Sequence, residues 1–111
     1  MSLKPKAMGS IPEMTCRIGQ QILKPENVYR QMGEKYADVV RDEDFVKMYS
    51  HLGQPAISPA RLAMVVVMQA MEGVSDRVAA EMVRTRIDWK YALHLELEDH
   101  GFDASVLSEF R

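Results

Sequence analysis

The stretch from Ser58 to Gly73 limits the possible folds of this chain more than any other. It reads Ser-Pro-Ala-Arg-Leu-Ala-Met-Val-Val-Val-Met-Gln-Ala-Met-Glu-Gly. Serine is a good N-cap because its side-chain oxygen accepts from the backbone N–H groups that a helix start leaves unpaired. Proline is tolerated at the next position, where its missing N–H would have had no partner. From Leu62 to Met71 nearly every side chain is apolar. Val65-Val66-Val67 has strand propensity, but the capped start and a run of about 14 residues select a helix. A helix apolar nearly all round must be covered by others, so it predicts the centre of a helical bundle. It is too short to cross a membrane, which takes about 20 apolar residues.

The flanking sequence supplies helices to cover it. Gly73 ends the run, and Ser75 caps a second helix after a very short turn. There Val78, Ala79, Met82, Val83 and Ile87 share an apolar face, opposite Asp76, Arg77, Glu81, Arg84 and Thr85. Asp88 starts a further helix to Leu93, with Trp89 and Leu93 facing in. Residues 96–101 read as an acidic loop, and Asp103 as the cap of a helix beginning Ala104-Ser105-Val106-Leu107. Upstream, Val28, Met32, Tyr36 and Val39 recur at helical spacing and predict a helix from Glu26 to Val40. A short one follows from Asp42 to His51, burying Phe45, Val46 and Tyr49. Residues 1–25 hold three of the five prolines and no sustained period, and read as an extended arm. The expected fold is all-α: a compact bundle of about five or six helices over residues 26–111, with a helix-turn-helix-like pair.

Little in the chain points to catalysis. The single cysteine, Cys16, forms no internal disulfide and no Cys-based metal cluster. His51, His94 and His100 have no paired-ligand spacing and read as surface or loop residues. No glycine-rich phosphate loop is present. Ser58, Ser75 and Ser105 each precede a helical run, so capping accounts for them. A two-metal nuclease site needs a scaffold to gather its carboxylates, and no sheet is foreshadowed here. Catalytic residues, metal ligands and cofactors are therefore all expected to be none. The sequence shows no secretory signal or membrane span, which leads to an expected cytoplasmic location and no membrane partner.

The formal net charge is −2, so the whole chain does not advertise nucleic-acid binding. Its distribution is more informative. Residues 96–111 carry Glu96, Glu98, Asp99, Asp103 and Glu109 against Arg111 alone, whereas Arg77, Arg84, Arg86 and Lys90 cluster on and just after the second helix of the tight-turn pair. Helix-turn-helix proteins lay such a second helix in the major groove. These four are the candidate DNA-binding residues, chiefly as phosphate contacts.

The order of short segments resembles a known family. The segments are Asp42-Glu43-Asp44-Phe45 with Tyr49; Gly53-Gln54-Pro55-Ala56-Ile57-Ser58-Pro59; Gly73-Val74-Ser75-Asp76-Arg77; Asp88-Trp89-Lys90-Tyr91-Ala92-Leu93; and Gly101-Phe102-Asp103-Ala104-Ser105-Val106-Leu107-Ser108-Glu109-Phe110-Arg111. Across residues 24–111 they resemble the InsH-type N-terminal domain of insertion-sequence transposases. His94 departs from that pattern where glycine is usual, and His100 where proline is frequent. The resemblance implies DNA transposition as the process. It also implies an Asp-Asp-Glu catalytic triad in a downstream RNase H-like domain that this sequence does not include, so no residue here inherits a catalytic role. Two functions follow as expectations: a non-catalytic module that helps bind element-end DNA, or an assembly domain that contacts the catalytic domain or a second protomer without reading DNA.

Overall fold

The computed structural model describes residues 10–36 and 58–111. Six α-helices are present among them: α1 (Glu13–Ile22), α2 (Val28–Gln31), α3 (Pro59–Glu72), α4 (Asp76–Thr85), α5 (Ile87–Leu93) and α6 (Ala104–Phe110). A π-helical turn, Met32–Tyr36, continues α2. No strand occurs among the described residues, and the fold is all-α. The expected Asp42–His51 helix lies outside the described residues, as does the end of the Glu26–Val40 helix. None of the described helices is long and apolar enough to cross a membrane.

The helix starts follow from local chemistry. Ser58 Oγ accepts from the Arg61 amide, Ser75 Oγ from Val78, Asp103 from Ser105, and Asn27 from Tyr29 and Arg30. Gly73 ends α3 in the left-handed conformation, φ 65°, where a Cβ is disfavoured. His94 ends α5 in the same conformation, φ 57°. This is the position where the resembled family usually has glycine. Histidine is among the residue types that enter this region more readily. His94 is buried rather than on the surface, and its Nε2 donates to the Gly33 carbonyl at 2.7 Å.

Two further expectations change. Part of the presumed arm is helical: α1 packs on α5, and Thr15 Oγ1 donates to the Leu95 carbonyl at 2.7 Å in a buried contact. The buried face of α1 is made of Thr15 and Gly19, so the sequence shows no apolar stripe there. A Cβ on Gly19 would stand 2.2 Å from Tyr91 Cδ2, so the helix lies directly on that ring. Gly33 allows a similar approach, since a Cβ there would stand 2.6 Å from the Tyr91 carbonyl oxygen.

The hub of the bundle is also α5 rather than α3. Every residue from Trp89 to Leu95 is buried, and α5 touches α1, α2, α3, α4 and the π-turn. By contrast α3 buries Leu62, Met64, Val65 and Met68 but leaves Val67 and Met71 about half exposed. Arg61, on α3, donates to the Leu93 and His94 carbonyls at 2.9 and 3.2 Å, satisfying the C-terminal end of α5. The last helix, α6, lies on α3 and α4 through fully buried Leu107, with Val106 and Phe110 against the core.

Candidate nucleic-acid interface

Helix α4 presents two chemically distinct faces. Ala79 and Val83 are fully buried. On the other face Arg77, Glu81 and Arg84 are exposed, at spacings of four and three residues, which places them on one side of a helix. Neither arginine forms a hydrogen bond or ion pair with any described residue, and neither does the Glu81 carboxylate, although both spacings allow one. A shallow groove of about 330 Å³ runs beside this stripe. Its near wall is Arg77, Glu81 and Arg84, and its far wall is His100, Phe102 and Asp103. The Asp103 carboxylate is occupied as the α6 cap, and its hydrogen bond from the Ser105 amide lowers its pKa.

The other two cations of the sequence-derived set are engaged by groups of the fold, Arg86 part-exposed and Lys90 buried. Arg86 chelates Asp88 through Nε and Nη2, at 3.0 and 2.6 Å, and its Nη1 reaches both Glu72 oxygens at 2.9 and 2.8 Å. Its guanidinium also lies 5.6 Å from the Tyr29 ring centroid and 5.7 Å from that of Trp89. The hydrogen bonds to Asp88, and then to Glu72, hold its pKa above the ordinary arginine value. Lys90 is 2% exposed, and its Nζ donates to the Asp99 carbonyl. Burial pushes its pKa down, because desolvation disfavours the ammonium. The structure therefore brings Arg77 and Arg84 together on one open face and gives Arg86 and Lys90 partners within the fold.

Sequence reasoning did not foresee the cluster around Glu72. Its carboxylate accepts from Tyr29 Oη, from Trp89 Nε1 at 3.2 Å and from Arg86. The Tyr29 hydrogen bond is the main cause of its depressed pKa. The Tyr29 phenol is pushed up to about 12, first by burial and then by the neighbouring carboxylate. A second carboxylate, Glu34, accepts from Tyr91 Oη at 2.6 Å and from Arg30 Nε at 2.9 Å. Both clusters join helices. No group of three or more His, Cys, Asp or Glu residues suited to a metal ion occurs among the described residues.

A family model described as "Transposase domain (DUF772)" matches residues 17–111. No curated protein and no solved structure gives a match.

Proposed function

We propose, from the premise that this chain belongs to that transposase-domain family, that it is a non-catalytic part of a DNA transposase and helps hold element-end DNA through the outer face of α4. The observation that carries this reading is the pair Arg77 and Arg84. Both are exposed, without an ionic partner among the described residues, and seven residues apart on a capped helix that follows a tight turn. Seven residues of helix rise about 10 Å, roughly three phosphates of axial advance along one DNA strand. Guanidinium groups bind phosphate in a planar, two-pronged geometry, which suits a backbone contact. Arg86 and Lys90 support this face from within: Arg86 fixes the start of α5, and Lys90 ties α5 to the loop that forms the far wall of the groove. The test is fluorescence anisotropy on a labelled 20-base-pair duplex at low salt. Replacing Arg77 and Arg84 together by alanine is expected to weaken binding about tenfold or more with an unchanged circular dichroism spectrum. Equal binding by the double variant refutes the reading.

An assembly role is the second reading. It is favoured by Val67 and Met71 on α3 and Val78 on α4, which are 52%, 47% and 42% exposed. Light scattering tests its self-association form: a concentration-dependent dimer broken by Val67→Asp supports contact with a second protomer, and a monomer throughout removes that contact.

A further inference from the structure

The exposed face of α4 is not uniformly basic. Glu81 lies between the two arginines, about 6 Å along the axis from Arg77 and about 4.5 Å from Arg84. At those spacings Glu–Arg pairs on a helix ordinarily meet, yet neither arginine pairs with it here. Thr85 donates to the backbone carbonyl of Glu81, not to its carboxylate. The charged groups facing Glu81 are Arg77 and Arg84 on its own helix, with His100 and Asp103 across the groove. The carboxylate is thus exposed, unpaired among the described residues and flanked by two cations. Next to it is Ala80, whose small side chain leaves room for a close approach.

On a surface that meets DNA, a carboxylate cannot contact phosphate and is repelled by it. Its partners on a base edge in the major groove are amino groups; adenine N6 lies beside the N7 acceptor, which repels a carboxylate, so the exocyclic N4 amino group of cytosine is the favourable one. We infer that Glu81 is a base-reading residue that accepts a hydrogen bond from cytosine N4, while Arg77 and Arg84 hold the backbone on either side of it. This rests on the reading of α4 as the DNA-contacting helix and adds sequence preference to it. The two arginines offset the repulsion between Glu81 and the phosphates, and Glu81 in turn penalises thymine, which presents an acceptor oxygen where cytosine presents a donor.

The experiment uses the 111-residue chain and a random-sequence duplex library, with bound duplexes recovered and sequenced. Affinities are then measured for the enriched duplex and for one with thymine replacing the enriched cytosine. The parent is expected to prefer cytosine about tenfold. Glu81→Gln is expected to cut that preference to about twofold or less while binding random duplex more tightly, since a repulsive charge is gone. Circular dichroism confirms that the variant folds. Enrichment without a preferred cytosine, or a preference unchanged in Glu81→Gln, overturns this assignment while leaving backbone contact by Arg77 and Arg84 intact. A parent that binds no duplex overturns both.

Discussion

Replacing Glu72 by alanine tests whether one carboxylate joins α2, α3 and α5. In the native fold it accepts from Tyr29, Trp89 and Arg86. Tyr29 is 6% exposed and Trp89 fully buried, so removal of the carboxylate strands two donors in the interior. A buried donor left without a partner costs about 1–3 kcal/mol. The Glu72 side chain is itself 26% exposed, so water reaches the vacated place and the lower half of that range applies to each donor. Arg86 keeps Asp88 and loses little. The expected destabilisation is about 2–4 kcal/mol out of a total of about 5–15, which lowers Tm by roughly 10–25 °C in a domain this size. Glu72→Gln keeps one acceptor oxygen and is expected to lose about 1 kcal/mol. Urea unfolding followed by the fluorescence of Trp89, the single tryptophan, reads the change directly. An alanine variant within about 0.5 kcal/mol of the parent would refute the idea that this carboxylate holds the cluster.

Gly19→Ala forces a methyl group into the Tyr91 ring and is expected to destabilise by about 1–3 kcal/mol, read by thermal melting; an unchanged Tm would mean that α1 does not rest on that ring. Val65→Asp, at a fully buried position, is expected to unfold the domain, whereas Val67→Asp, two residues on and 52% exposed, is expected to leave the melt nearly unchanged; similar melts for the two would show that α3 is rotated from this packing. The tyrosine–glutamate clusters should contribute evenly at mid-range pH and lose that contribution on both sides. The Tyr29 and Tyr91 phenols are raised from 10.0 to about 12, so their contribution is complete below pH 10 and lost as pH rises through about 12. Glu34 and Glu72 are lowered from 4.5, so theirs is complete above that value and lost as pH falls through their depressed values. Phenolate absorbance checks the alkaline limb, where all four tyrosines ionising together near pH 10 would contradict it.

The helix starts at Ser58, Ser75 and Asp103 were legible because capping is local: the acceptor and its amide lie two or three residues apart. The outward placement of Arg77 and Arg84 was legible for the same reason, since the inward face of α4 shows a helical apolar period. The structural engagement of Arg86 was not, because its partners Glu72 and Tyr29 are distant in sequence. Helix α1 escaped notice because it buries threonine and glycine, which carry no hydrophobic signal. The central position of α5 was hidden by its length of seven residues and by Lys90 and His94, polar residues that it buries by giving each a backbone carbonyl as acceptor. Periodicity reports which side of a helix is apolar; it does not report how many neighbours surround it.

The salt dependence of duplex binding tests the central proposal most directly. Two phosphate contacts release close to two counterions, so a plot of log affinity against log salt should have a slope of about −2 for the parent and near zero for the Arg77→Ala, Arg84→Ala double variant. Binding that is absent at low salt, or a double variant that keeps the parent's slope, would contradict the assignment of the α4 outer face to DNA.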